Sequence, residues 1–166
     1  MAKKSAAAPT TAATTALTRA GIRFTAHSYA HDPAVTDFGA EAARELGIEA
    51  ARVFKTLMVA TDAHGGFGIG IVPVDAMLDL KALAAALGGK RAELADPRVA
   101  ERKSGYVVGG ISPVGQRTAL PTVVDSSAQG FETILVSGGR RGFDVELAPA
   151  DLLRATGGKY GAIRRP

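Results

Sequence analysis

A lysine interrupts a segment of the chain that otherwise favours a buried strand. The segment ARVFKTLMVATD, residues 51–62, is rich in the β-branched, aromatic and aliphatic residues typical of strands. Because side chains two residues apart share a face of a strand, Lys55 lies in the same row as Leu57 and Val59. Two interpretations stay open. Either the ammonium group bends out to water, or it points into a pocket towards an anionic or carbonyl ligand.

A glycine-rich segment offers backbone groups for chemistry. In GYVVGGISPVG, residues 105–115, Gly109 and Gly110 leave their backbone amides unshielded by side chains. Such a loop can bring its N–H groups against a carbonyl or phosphate oxygen. The alternative is a tight turn or a bulge between two strands.

A second cluster of polar side chains surrounds a glycine pair. In VSGGRRGFD, residues 136–144, Ser137 ends one β segment and Asp144 begins the next, with Arg140 and Arg141 between them. One interpretation is a hydroxyl and a carboxylate at one pocket mouth, with two arginines available for phosphate. The other is an ordinary hairpin with a charged tip.

Most familiar catalytic patterns are missing from the sequence. It contains no GxSxG elbow, P-loop or HExxH pattern, and it has no cysteine, which excludes disulfides and thiolate zinc sites. The glycines of residues 65–70 lie in a predicted hairpin, so they do not form a dinucleotide-binding loop. His27 and His31 have no acidic cluster beside them, and we expect a strand residue and a turn residue rather than metal ligands. No metal or cofactor is expected.

Hydrophobic periodicity and turn signals predict the elements that carry these residues. Helices are predicted at about residues 14–20, 36–47, 79–89, 96–105 and 149–157. Strands are predicted at residues 22–29, 51–62, 67–74, 106–115, 120–125, 131–139 and 143–148. Since strands and helices do not alternate regularly, the fold class is α+β, and the short β segments broken by Gly and Pro indicate a curved or barrel-like sheet.

Length and composition set the frame for this fold. A chain of 166 residues with 46% hydrophobic and 22% charged residues is expected to form a single domain over 14–166, after an Ala/Thr-rich flexible tail over 1–13. The net charge of +4 fits a polyanionic partner such as RNA, although many proteins of such charge bind no nucleic acid. No apolar run is long enough for a membrane span, and the N-terminus lacks the apolar region of a signal peptide, so we expect a cytoplasmic protein.

Several motifs, taken in order and spacing, resemble one known family. They are HSYAHDP, DFG, VFKTLMV, DLKALAAALGGK, ADPRVAERKSGYVVGGISPVGQ and VSGGRRGFDVEL. Over about residues 14–163 the chain resembles the YbaK family of aminoacyl-tRNA editing deacylases, and more narrowly the free-standing Cys-tRNA(Pro) deacylases. This family is related to the editing domain inserted in bacterial prolyl-tRNA synthetases. The resemblance implies a mixed β-barrel-like sheet with helices packed outside.

The resemblance also implies an activity and a set of site residues. Family members hydrolyse the ester that joins a wrong amino acid to tRNA, here Cys-tRNA(Pro) and also Cys-tRNA(Cys), with assistance from the substrate thiol. Lys55 and Gly110 map onto catalytic positions, where the Lys55 charge and the Gly110 N–H would face the developing oxyanion. The positions that map onto substrate-binding residues are Tyr29, Phe38, Thr56, Ser137 and Asp144.

Two alternatives to this function stay open at the level of sequence. In the first, the chain is a deacylase for another mischarged tRNA, such as Ala- or Ser-tRNA. In the second, it is a non-catalytic module that binds tRNA or a synthetase. The partners implied are the acceptor end of aminoacyl-tRNA and, in a transient complex, prolyl-tRNA synthetase. A monomer is the default expectation.

Overall fold

The protein has a mixed α+β architecture, as the sequence predicted. The structure, a computed structural model, describes residues 8–166. Its helices are α1 (Ala12–Arg19), α2 (Phe38–Leu46), α3 (Leu80–Ala86), α4 (Pro97–Ser104) and α5 (Pro149–Thr156). Its strands are β1 (Thr25–Ser28), β2 (Phe54–Thr61), β3 (Phe67–Pro73), β4 (Ala92–Leu94), β5 (Thr122–Asp125), β6 (Ile134–Arg140), β7 (Phe143–Leu147) and β8 (Lys159–Gly161).

The strands form two sheets that meet around a shared core. A three-stranded sheet has the order β1-β7-β6, and a five-stranded sheet has the order β4-β2-β3-β5-β8. The larger sheet is mixed, because β3 and β8 both pair in parallel with β5 while β2 pairs antiparallel with β3 and β4. A parallel bridge between Val53 and Leu135 joins the start of β2 to β6. In residues 8–166 the strands therefore form two separate sheets connected at this bridge, and not one closed barrel.

Strand β2 is buried on both faces, which explains its apolar composition. Phe54 and Met58 pack into the largest hydrophobic cluster, together with side chains from β3, β6 and β7. On the opposite face, Leu57 and Val59 pack into a second cluster with Leu83 of α3. A strand covered on both sides leaves little room for a charged side chain, except at its end, where Lys55 lies.

Three helices begin at the aspartates that their capping signals predict. The side chains of Asp37, Asp79 and Asp96 each accept a hydrogen bond from a backbone N–H in the first turn of α2, α3 and α4. Gly47 ends α2 in the left-handed conformation that glycine adopts without strain. The predicted bounds of these helices therefore hold to within a few residues.

The segment of residues 106–115, predicted as a strand, is a loop instead. Tyr106 donates its hydroxyl proton to the Val114 carbonyl at 2.6 Å, and the Val114 N–H donates to Ser112 Oγ at 3.2 Å. Gly109 has a φ of +90°, outside the range of a strand. The valines that favoured a strand thus belong to a loop held by its own hydrogen bonds, and two short strands that the prediction missed, β4 and β8, form at the edges of the larger sheet.

The start of the chain is only partly described. Residues 1–7 of the predicted tail lie outside the described residues. Helix α1 begins at Ala12, two residues before the predicted start, and Thr11 caps it by accepting from the Thr14 N–H. The Thr11 hydroxyl also donates to the Gly138 carbonyl at 2.6 Å. Among the helices of residues 8–166, none is long and apolar enough to cross a membrane.

Candidate active site

A cavity of about 400 Å³ opens where the two sheets meet. Strand β2 supplies one wall, β6 and β7 supply another, and the first turn of α2 and the 105–115 loop close the sides. Its lining includes both apolar and polar side chains, as is usual for a small-molecule or substrate pocket. Six of the residues predicted from sequence line it, namely Tyr29, Phe38, Lys55, Thr56, Ser137 and Asp144.

Lys55 lies at this cavity, which is where the second interpretation of the lysine strand expects it. Lys55 lines the cavity, is only partly exposed, and pairs with Val72 in the antiparallel ladder of β2 and β3. Within residues 8–166, its ammonium group forms neither a hydrogen bond nor an ion pair. A partly buried lysine on a strand that lines a cavity is suited to meet an anionic or carbonyl group of a ligand.

Thr56 contributes a hydroxyl that lacks a partner. Its Oγ1 atom is buried, and no hydrogen-bond partner for it exists in the described part of the chain. A buried hydroxyl without a partner is costly, so such groups deserve an explanation. A ligand in the cavity, whose wall Thr56 helps to form, provides one.

Asp144 is the most perturbed acid of the cavity. It lies directly opposite Ser137 in the β6–β7 ladder and is 6% exposed. Burial raises the pKa of Asp144 to about 7, and no side-chain hydrogen bond to its carboxyl occurs among the described residues. Ser137 Oγ accepts from the Gly139 N–H at 3.2 Å, which keeps this hydroxyl at the strand end. An unpaired carboxyl that titrates near neutral pH is typical of functional sites.

Tyr29 lies at the end of β1 beside this carboxyl. Burial, with smaller contributions from the negative charges of Asp144 and Glu41, raises the pKa of Tyr29 to about 12. The phenol therefore keeps its proton over the physiological range and is available as a hydrogen-bond donor.

The glycine-rich loop differs from the expectation in one respect. The Gly110 N–H already donates to the Val107 carbonyl at 2.8 Å, so it is not a free donor for an oxyanion. Gly109 and Ile111, on either side, line the cavity. Their N–H groups form no hydrogen bond within the described residues. Gly110 itself is buried, and a Cβ there would lie 2.7 Å from the Arg140 Cα.

Sequence reasoning missed the support around Phe38. His31 Nδ1 lies 2.6 Å from a carboxylate oxygen of the buried Glu41, and the His31 ring packs against the Phe38 ring at 5.5 Å between centroids. Burial acts to raise the pKa of Glu41, but hydrogen bonds from the Asp32 N–H and from His31 lower it overall. The sequence around Glu41 predicts an exposed acid on a helix, so no local signal could have shown its pairing with His31.

The histidines of the sequence are not grouped for metal binding. His27 Nε2 lies 2.7 Å from Glu146, and His31 pairs with Glu41 on a different element. In the described 8–166 range, no group of three or more His, Cys, Asp or Glu residues is placed to hold a metal ion.

The comparisons with known proteins identify the family of this fold and site. A model of the aminoacyl-tRNA editing domain matches residues 32–155, which include all the predicted site residues except Tyr29. The chain belongs to this aminoacyl-tRNA editing domain family. A relative from Enterococcus faecalis, named as a candidate Cys-tRNA(Pro)/Cys-tRNA(Cys) deacylase, EbsC, is 40% identical over 121 residues, or 73% of each chain.

Solved structures agree with this assignment. The crystal structure of a protein described as a candidate trans-editing enzyme for prolyl-tRNA synthetase has a TM-score of 0.79 and 25% identity, covering 93% of this chain and 96% of that chain. The crystal structure of the hypothetical protein APE2540 has a TM-score of 0.82 and 26% identity, covering 93% and 100% of the two chains. Over 93% of its length the chain therefore shares the fold of these two solved structures.

Proposed function

We propose that this protein is a trans-editing hydrolase that deacylates mischarged Cys-tRNA(Pro) and also Cys-tRNA(Cys). The observation that carries the proposal is that one cavity holds the ammonium group of Lys55 and the buried carboxyl of Asp144, both without a polar partner in residues 8–166. An aminoacyl ester offers a carbonyl group to the first and an ammonium group to the second. The family and the 40% identical relative support the same activity.

The ester carbonyl is placed against Lys55 and the glycine-rich loop. As the carbonyl carbon is attacked, negative charge develops on its oxygen, and the Lys55 ammonium group stabilises that charge. The unused N–H groups of Gly109 and Ile111 are suited to be further donors, in place of the Gly110 N–H. Each such donor typically lowers the barrier by about 3 kcal/mol.

The amino acid is oriented by the polar groups of the opposite wall. The carboxyl of Asp144 receives the α-ammonium group, which favours the ionised carboxylate and offsets the burial that raises its pKa. The Tyr29 phenol and the Thr56 hydroxyl provide additional hydrogen bonds, and Ser137 completes this wall. Phe38 shapes the apolar side of the cavity.

The nucleophile is proposed to come from the substrate. Both paired histidines are engaged with glutamates, and Ser137 has no hydrogen bond to a histidine among the described residues. An activated serine would need such a base. In the proposed step the cysteine sulfur attacks its own ester carbonyl, a C–S bond forms and the C–O bond to the ribose breaks. The thiol proton passes to the leaving 3′-oxygen, and water then opens the resulting β-thiolactone to cysteine.

A thiol-dependent step gives the protein a means of selection. Cysteine and proline are similar in size, so a synthetase pocket rejects cysteine poorly by shape. Proline lacks the thiol, and its tRNA ester is spared. We further propose that the protein acts as a monomer in the cytoplasm, where tRNA is charged, in a transient complex with prolyl-tRNA synthetase and the acceptor end of the tRNA.

A panel of tRNA(Pro) esters tests this function. We expect rapid loss of cysteine from Cys-tRNA(Pro), with Ser-, Ala- and Pro-tRNA(Pro) hydrolysed at least tenfold more slowly. Serine differs from cysteine only in its hydroxyl, so it is the closest control for the thiol. Equal hydrolysis of the Ser or Ala ester would leave a deacylase without thiol assistance, and hydrolysis of none would indicate a non-catalytic binding module.

A further inference from the structure

The two arginines at the tip of the β6–β7 hairpin have different surroundings. Both are exposed, but only Arg141 has fixed contacts. Its Nε donates to the Val108 carbonyl at 2.8 Å, and its guanidinium carbon lies 5.1 Å from the centre of the Phe38 ring. Arg140 has neither kind of side-chain contact within the described residues. Sequence alone does not distinguish these neighbours.

The contacts of Arg141 orient its guanidinium group at the rim of the cavity. Val108 and Phe38 both line the cavity, so the guanidinium group lies where two of its walls meet. Arg141 donates to the Val108 carbonyl through Nε alone. Neither terminal nitrogen of Arg141 has a partner in the part of the chain that the structure describes. No carboxylate of residues 8–166 pairs with Arg141.

This arrangement leaves a pre-oriented pair of donors facing outward. A guanidinium group held through Nε and an aromatic face presents its remaining N–H groups in a fixed plane, which suits the oxygens of a phosphate. Holding the group in advance also reduces the entropy lost on binding. A free surface arginine such as Arg140 has no such advantage.

We infer that Arg141 is the residue that binds a phosphate of the substrate's 3′-terminal nucleotides. The inference rests on the proposed function, since the ester bound at Lys55 is attached to a ribose whose phosphodiester chain must leave the cavity across its rim. The Nε tether fixes the guanidinium group, and the two terminal nitrogens contact the phosphate. Arg141 thereby sets the distance between the polynucleotide backbone and the ester carbonyl.

A double-mutant cycle between protein and RNA tests the inference directly. The probe is a short RNA ending in CCA that carries cysteine through a hydrolysis-resistant 3′-amide. A second set of probes replaces each of the last two phosphates in turn with an uncharged methylphosphonate. Dissociation constants are measured for the wild type and for Arg141→Gln. We expect one of these replacements to weaken binding to the wild type by about tenfold. The same replacement should leave the affinity of Arg141→Gln unchanged.

Matched variants separate a phosphate contact from a structural role. Arg140→Gln removes the same charge from the same hairpin and should retain the wild-type response to the methylphosphonates. Arg141→Lys keeps the charge but loses the planar donors, and should recover only part of the affinity. Losses that add independently in the cycle, or an Arg140→Gln variant that matches Arg141→Gln, would overturn the inference.

The outcome is distinguishable from a failure of the proposed function. If the wild type binds none of the probes and deacylates no aminoacyl-tRNA, the proposed function fails. If it deacylates Cys-tRNA(Pro) and the cycle is additive, only the role of Arg141 fails. Circular dichroism of each variant shows whether the hairpin and the loop remain folded.

Discussion

Asp144 and Glu146 lie two residues apart on one face of β7, yet their carboxyl groups have opposite surroundings. Glu146 accepts hydrogen bonds from Thr133, from His27 at 2.7 Å and from Arg52 at 2.9 Å. The Thr133 hydroxyl, followed by His27 and Arg52, lowers the pKa of Glu146 despite partial burial. Asp144 has no such partner among the described residues, and burial raises its pKa to about 7. One strand thus carries a structural carboxylate and a second carboxyl that is left for a ligand.

The free energy of unfolding is expected to depend on pH through Asp144. Burial raises the pKa of Asp144 to about 7 in the folded protein from an ordinary value of 3.8, so the folded state holds the proton more tightly. Stability therefore falls as pH rises between these values, by at most about 1.4 kcal/mol per pH unit. Asp144→Asn removes this loss. In urea unfolding, the stability of the variant relative to the wild type should therefore be higher at pH 8 than at pH 5.

Glu146→Gln is the matched control on the same strand. The pKa of Glu146 is lowered in the folded state, so its contribution is present above its unfolded pKa and is lost as pH falls through the folded pKa. The substitution should therefore destabilise the protein at pH 8, the opposite sign from Asp144→Asn. A stability gain from Asp144→Asn that is identical at both pH values would contradict the burial argument.

Gly110→Ala is expected to damage the site through the backbone. A Cβ at this position lies 2.7 Å from the Arg140 Cα, so the loop must move away from the hairpin tip. A displacement of about 1 Å next to the reacting carbonyl typically costs about 10²-fold in rate. Steady-state deacylation of Cys-tRNA(Pro) measures the loss. Gly130→Ala, where a Cβ meets nothing within 4 Å, should keep near wild-type activity, and equal rates for the two variants would refute the role of Gly110.

Thr56→Val separates the effect of the buried hydroxyl on stability from its effect on substrate binding. Because Oγ1 has no hydrogen-bond partner within residues 8–166, the isosteric change should leave stability unchanged or slightly higher. Activity should fall by about fivefold if the hydroxyl binds substrate, since one hydrogen bond is worth about 1 kcal/mol. Thermal unfolding and deacylation rates are the two readouts.

Thr122→Val provides the converse control. The Thr122 hydroxyl donates to the Leu120 carbonyl at 2.9 Å in β5, which does not line the cavity. Its loss should lower stability and spare the deacylation rate. If Thr56→Val behaves in the same way, its hydroxyl has no part in substrate binding.

Local signals were sufficient for much of the fold. The capping aspartates and terminal glycines located the helices, and the alternation in residues 51–74 located the central hairpin. The two strands that the prediction missed, β4 and β8, have three residues each and depend on partners distant in sequence. The 106–115 segment was assigned to a strand because its valines favour one, whereas side-chain hydrogen bonds hold it as a loop.

The site was predicted through its chemical residue types rather than through its geometry. The residue types alone left two interpretations open for Lys55 and for Ser137 with Asp144, and the family resemblance mapped all three onto one site. The structure gathers them in one cavity. The hydrogen bond that occupies the Gly110 N–H and the tether of Arg141 to the Val108 carbonyl depend on tertiary contacts. No pattern in a single sequence encodes them.

The central claim is that the Lys55 ammonium group stabilises the reacting ester. Deacylation of Cys-tRNA(Pro) by Lys55→Ala tests it most directly, with Lys81→Ala, an exposed lysine outside this cavity, as the control. Since Lys55 has no polar partner in residues 8–166, its removal should leave thermal stability intact. The account predicts a loss of at least about 10²-fold in kcat/KM for Lys55→Ala and wild-type rates for Lys81→Ala. A folded Lys55→Ala variant that deacylates Cys-tRNA(Pro) at the wild-type rate would contradict it.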